Sequence, residues 1–319
     1  VLGLGYHPRP MAGPHALVDD VTPPPSEAPV LTAVPPAADE LRITLHAPAH
    51  LPDPLGPGIS IPERLRRLWA VMGSVVDLKI GFLMAFAGGW LVVTQIHCTV
   101  ASYDRDVKPL ISSWNGYLKP MAGHLYWFWM GPPMLFLVPL TLACVLLKVR
   151  PAEFGCAIGN WRSGLKWVAG IYGSFLPLVV AVSFLGPFKK TYPMNSWVGT
   201  ETVNWLLGKQ GSPVPFLLFE TSYGLYFIGW EFFFRGFLGF MLYRVMGWYG
   251  VLVATIPFAV MHVGKPEPEA LGSVIAGVAL GVFAIRERSF LYGALLHALV
   301  AWSMDVLAIF HRWREATGP

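Results

Sequence analysis

Residues 214–243 read VPFLLFETSYGLYFIGWEFFFRGFLGFMLY. Apolar and aromatic side chains fall on every side of a helix drawn through this run, which leaves no polar face for water. A helix that is apolar all round lies in a large core or in a bilayer. At 1.5 Å per residue, this one outlasts the ~30 Å hydrocarbon layer of a membrane. Its charged residues are Glu220, Glu231 and Arg235. Charge at membrane depth costs about 2.5–3.5 kcal/mol per residue on insertion scales, so these side chains are candidates for function.

On either side the same text repeats. Six further apolar spans are expected at about 79–101, 124–147, 165–187, 249–264, 269–285 and 289–310, making seven with the first. Trp90, Tyr126, Trp161, Trp167, Tyr249 and Tyr292 sit near span ends, as interfacial aromatic belts require. The composition agrees: 54% of the 319 residues are hydrophobic, 13% are charged, and mean hydropathy is +0.52. Soluble domains carry about 25% charged residues. The fold expected is all-α, a polytopic transmembrane helix bundle.

The first 60 residues differ. Proline is dense (Pro23, Pro24, Pro25, Pro35, Pro36, Pro48, Pro52, Pro54, Pro57) and apolar periodicity is missing, so a disordered tail is expected. It has neither the charged n-region nor the apolar h-region of a signal peptide. Val1 suggests a valine-type start codon or a true start at Met11. From 61 to 78, Glu63, Arg64, Arg66 and Arg67 lead an amphipathic stretch toward Trp69, which reads as interfacial. A transmembrane pair over 79–147 and a core over 148–319 complete the division.

Net charge is +4, spread in short clusters between apolar runs. No basic block suits nucleic acid, and the clusters read instead as membrane topology, leaning toward a cytoplasmic N-terminus. Cys98, Cys144 and Cys156 form no C-x-x-C pair and no zinc-knuckle spacing.

Glu231 and Arg235 stand four apart, on one helical face, with the acid N-terminal. Glu220 lies about three turns earlier and is expected to snorkel to the interface. The fifth span supplies Phe258-Ala259-Val260-Met261-His262 and the seventh supplies His297. Two histidines and a carboxylate on three helices are the ligand types of Zn²⁺, and equally the general bases of a metal-free site. Asp305 lies two turns beyond His297 and about 80° round the helix. His97 and His124, near span ends, are read as interfacial.

On these residues the chain resembles the CAAX-prenyl protease and bacteriocin-processing family of intramembrane proteases. That family carries Glu-Glu-x-x-x-Arg, Phe-x-x-x-His and His-x-x-x-Asn/Asp on successive helices. Glu231-x-x-x-Arg235 matches the second glutamate and the arginine, Phe258-x-x-x-His262 matches the second motif, and His297 the histidine of the third. Lys148-Val-Arg-Pro-Ala-Glu153, Asn160-Trp-Arg-Ser-Gly and the Gly-Lys-Pro-x-Pro-Glu269 run also look alike, so the resemblance covers about residues 145–310. Trp230 stands where the family has its first glutamate, and Ala301 where it has a polar residue.

The resemblance implies an intramembrane endopeptidase. In it, Glu231 and His262 would deprotonate water, His297 would donate to the oxyanion, and Arg235 would hold the Glu231 carboxylate. It also implies Zn²⁺ on Glu231, His262 and His297, or the same site without metal. The implied partners are membrane lipid and a peptide or protein substrate, prenylated or membrane-anchored, in a bacterial inner membrane. Trp230 and Ala301 support an alternative, a family member that acts as an immunity or scaffold protein without catalysis. A bis-histidine haem or quinone site and a transporter are the remaining readings.

Overall fold

The computed structural model describes residues 60–67 and 77–318. The proline-rich tail up to residue 59 and residues 68–76 of the 61–78 segment, Trp69 among them, therefore lie outside the described residues. What is described there is a short helix α1 over 61–67, on which Glu63 pairs with Arg66 at 2.7 Å and Arg67 at 2.9 Å. Those guanidinium groups draw the Glu63 carboxyl below its ordinary range.

The fold is all-α. Among the described residues six helices are long and apolar enough to cross a membrane: α2 (Leu78–His97), α3 (Lys119–Leu147), α4 (Trp161–Val182), α7 (Val214–Met246), α9 (Glu267–Glu287) and α10 (Leu291–Thr317). Two shorter helices, α5 (Gly186–Thr191) and α6 (Ser196–Leu206), link α4 to α7. The expected fifth span is α8 (Trp248–Val260), of only 13 residues. Such a helix rises ~20 Å and falls short of the ~30 Å hydrocarbon thickness. Its end is encoded locally: Pro257 lies in the last turn, Gly264 takes a left-handed φ of 96°, and Pro266 precedes α9. His262 consequently stands in the turn after α8, not within a span.

Capping marks several starts. Asp77 accepts from the N–H groups of Lys79 and Ile80 at 2.8 and 3.3 Å, opening α2. Asn160 accepts from Ser163 at 3.2 Å and Asn195 from Val198 at 3.1 Å, opening α4 and α6. Each satisfies an amide that a helix N-terminus would leave without a partner.

α7 is the hub. It is largely enclosed by α3, α6, α8, α9 and α10, whereas α4 exposes most of its surface. That accounts for its all-round apolar sequence: it meets protein on every side. Phe128 stacks on Tyr223 with ring centroids 4.7 Å apart, and Phe136 meets Phe232 edge-on at 4.5 Å. Close approach of α3 to α7 depends on Gly229, where a Cβ would come within 2.8 Å of Pro132 Cα. Small residues at such crossings replace hydrophobic driving force with backbone proximity.

Candidate active site within the bundle

α7 changes pitch at the site. Val214–Glu231 is α-helical, and Phe232–Phe240 is wound as a π-helix before the α-form resumes at Met241. Wide turns of this kind are uncommon and gather at functional sites. Glu231 is the last α-helical residue and Arg235 lies in the first π turn. Their side chains still meet, Arg235 Nη1 donating to Glu231 Oε1 at 3.0 Å, with both residues almost wholly buried.

A third group completes the pair. His297 of α10 lies with Nδ1 2.7 Å from the same Glu231 Oε1. With Arg235 keeping the carboxylate ionised, Nδ1–H is the donor, and Nε2 is left with a lone pair. The His297 ring is stacked on Phe227 at 4.1 Å, which fixes its plane. Gly293, one turn earlier on α10, makes room for the carboxylate: a Cβ there would lie 3.2 Å from Glu231 Oε2. That Oε2 has no hydrogen-bond partner among the described residues, and neither has Arg235 Nη2. The guanidinium sits 3.8 Å from the Phe258 ring centroid, a buried cation–π contact.

His262 arrives from the turn after α8. Its Nδ1 lies 2.8 Å from the carbonyl oxygen of Phe258. A carbonyl only accepts, so Nδ1 carries the proton and Nε2 is the free base. This contact also caps the last turn of α8. The rings of His262 and His297 are 6.3 Å apart and 19° from parallel. No direct hydrogen bond joins the two rings at that separation.

Trp230 occupies the wall beside this centre. Its ring is 6.1 Å from His262, 4.9 Å from Phe234 and 5.7 Å from Tyr226. Its indole N–H is buried and without a partner among the described residues. A small cavity of about 10 Å³, room for roughly one water, adjoins it, lined also by Gln95, Trp127, Tyr226 and Met261. Ala301, one turn past His297, is packed in the main apolar core.

The structure thus brings together Glu231, Arg235, His262 and His297, and adds Trp230, Phe227 and Gly293. Trp230 was marked by its place in the motif, but sequence spacing gave no sign of Phe227 or Gly293, whose roles depend on which helices become neighbours. One further expectation is revised. Glu220 does not snorkel: it is 7% exposed and faces Asp305 of α10. His124, near the start of α3, packs 5.6 Å from the Phe219 ring, with Asn195 Nδ2 3.2 Å from its Nδ1. His97 is exposed at the end of α2.

For Zn²⁺, the donor set is the test. Glu231 Oε1 is already committed to Arg235 and His297, on the Nδ1 side of that ring. That leaves Glu231 Oε2 and the two Nε2 atoms as the free donors. Among the described residues no three His, Cys, Asp or Glu side chains form a group able to hold a metal ion. The arrangement is that of a carboxylate–imidazole pair with a second imidazole nearby.

Residues 213–303 match the family model described as Type II CAAX prenyl endopeptidase Rce1-like. This stretch is CAAX-protease-like; it runs from the start of α7 into α10 and contains Glu231, Arg235, His262 and His297. Lys148–Glu153 and Asn160–Gly164 lie outside the match. No curated protein and no solved structure matches the chain.

Proposed function

We propose that the protein is an intramembrane endopeptidase in which the Glu231–His297 pair activates a water. The observation that carries this reading is the 2.7 Å contact between Glu231 Oε1 and His297 Nδ1, made inside a CAAX-protease-like domain. A buried carboxylate fixes the tautomer of the imidazole and stabilises the imidazolium that forms.

The mechanism follows from the free nitrogens. Water donates one O–H to His297 Nε2 and is oriented by His262 Nε2. As the oxygen attacks the peptide carbonyl, its proton passes to His297, whose new charge is offset by Glu231. His297 then returns that proton to the departing amine. The developing oxyanion takes a hydrogen bond from the indole N–H of Trp230, a donor otherwise without a partner; losing such a donor costs about 3–4 kcal/mol. Arg235 keeps Glu231 ionised and in place. This division of labour differs from the one the resemblance implies, because Glu231 Oε1 is engaged by His297 and Arg235, which makes the imidazole the base. Zn²⁺ is not needed for any of these steps, and chelator tests that.

The substrate would be a peptide or protein with an apolar part, a prenyl group or a transmembrane segment. The protein would sit in a bacterial inner membrane with its N-terminus cytoplasmic, the side toward which Arg64, Arg66, Arg67, Lys148, Arg150 and Arg244 lean. The test is cleavage of a quenched prenyl-peptide and a small panel of membrane proteins by detergent-purified protein, with Glu231→Gln and His297→Ala beside the wild type. Hydrolysis that both variants retain would end this reading.

One observation favours a second role. Trp230 and Ala301 fill positions where the family is polar, and an immunity or scaffold protein would keep the bundle while losing the chemistry. Binding of the same peptides without cleavage would select it.

A further inference from the structure

A second polar bridge joins the two helices that carry the candidate site. Glu220 lies eleven residues before Glu231 on α7, ~16 Å along the axis, and Asp305 lies eight residues after His297 on α10, ~12 Å along. The helices are antiparallel, so the two carboxyls meet as Glu231 and His297 do, at another height. They face each other with Glu220 7% and Asp305 1% exposed. Asp305 Oδ1 accepts from the N–H of Met194 at 3.1 Å. Asp305 Oδ2 and both carboxylate oxygens of Glu220 have no hydrogen-bond partner among the described residues.

Those three oxygens define what is missing. Two ionised carboxylates face to face in a protein interior repel each other and give up their hydration with nothing in return. The nearest cations are engaged elsewhere: Lys265 lies 3.6 Å from Glu269 and 3.4 Å from Tyr192 Oη, and Arg312 lies 3.4 Å from the Tyr192 carbonyl. The Tyr192 hydroxyl donates to Glu269 at 2.7 Å. Tyr223 is the other titratable neighbour, and it is a neutral phenol. No metal-holding group of three is formed at this point or anywhere among the described residues. The smallest occupant that turns the repulsion into a bond is one proton.

We propose that Glu220 and Asp305 form a proton-binding site, holding one proton between them as a carboxyl–carboxylate hydrogen bond that bolts α7 to α10. Such O–H···O⁻ bonds are short and strong. The proton belongs to the pair, not to either residue. Its loss leaves two charges pushing apart the helices whose register sets the Glu231–His297 contact. The site is separate from the peptide chemistry and stands whether or not the protein hydrolyses anything.

Infrared difference spectroscopy of the full-length protein in detergent reads the proton directly. Near neutral pH the wild type should show the C=O stretch of a protonated carboxylic acid, shifting in D₂O and lost in both Glu220→Gln and Asp305→Asn. In Glu220→Gln the amide N–H replaces the proton as the bridging donor, so its melting temperature should match the wild type, while Glu220→Ala should melt lower. Absence of the protonated band in the wild type would overturn the proposal, as would its survival in both isosteric variants. A Glu220→Ala melting temperature equal to that of Glu220→Gln would show that nothing bridges the helices there.

Discussion

The carboxylate of Glu231 lies 2.7 Å from Nδ1 of His297, an acid on the central helix holding the imidazole of the last one. Sixty-six residues separate them in the chain. The carboxylate is also bonded to Arg235, so one oxygen atom ties together an arginine, a histidine and two helices. Chemistry and stability are therefore coupled at this atom, and substitutions should separate them.

Glu231→Gln keeps the size of the side chain and removes its charge. The imidazole then loses both its tautomer control and the counter-charge for its protonated form, and peptide hydrolysis should fall by about 10²–10⁴-fold. Initial rates on the quenched peptide measure this. A rate within threefold of wild type would mean that Glu231 is only structural.

Arg235→Met leaves a carboxylate buried without its guanidinium. Breaking a buried pair from one side typically costs about 3–5 kcal/mol, whereas replacing both partners is often neutral. Glu231→Gln combined with Arg235→Met should recover most of the melting temperature lost in Arg235→Met and none of the activity. Thermal unfolding in detergent, beside the cleavage assay, gives both numbers.

Gly293→Ala is the most local probe. Its new Cβ would sit 3.2 Å from Glu231 Oε2, tight enough that the carboxylate must give by a few tenths of an ångström. Catalytic geometry is sensitive at that scale, so kcat should drop with little change in KM. Melting temperature should stay within a few degrees. A bulky residue at Gly229 should do the reverse, lowering stability first, because Pro132 backbone lies across its path.

Cys156 offers a test of the linker between α3 and α4. Burial pushes its thiol up to about 11, so the neutral form dominates at ordinary pH. The thiolate is the nucleophile in alkylation. In a Cys98→Ser/Cys144→Ser background, iodoacetamide should label Cys156 slowly at pH 8 and faster as pH rises toward that value. Unfolding should restore ordinary reactivity. Rapid labelling of the folded protein at pH 8 would contradict the packing around Phe154 and Cys156.

Much of this was legible in residue order. The span ends of α2, α3, α7, α9 and α10 fall within a few residues of where hydropathy puts them, except that α10 runs on to Thr317. Solvation by lipid leaves a long, unbroken signal in composition. The pairing of Glu231 with Arg235 was legible as well, since four residues is a local spacing. Phe227 and Gly293 were not, because which side of α7 faces α10 is decided by packing and by the π turns after Glu231. Glu220 was misplaced for a related reason. A charge near a helix end is usually assumed to reach water, and nothing local announced that Asp305 would lie opposite.

The shortness of α8 has a consequence for the lipid around it. Leu252, Ile256 and Val260 point outward from a helix some 10 Å shorter than the hydrocarbon layer it must meet. Acyl chains next to it have to tilt or splay, and the headgroup surface is drawn inward toward the turn that carries His262. The bilayer itself then becomes a dent through which water and the polar end of a tethered chain descend. Access to the buried histidines would be graded by the thickness of the host membrane, with thin, short-chain lipids admitting what thicker ones hold back.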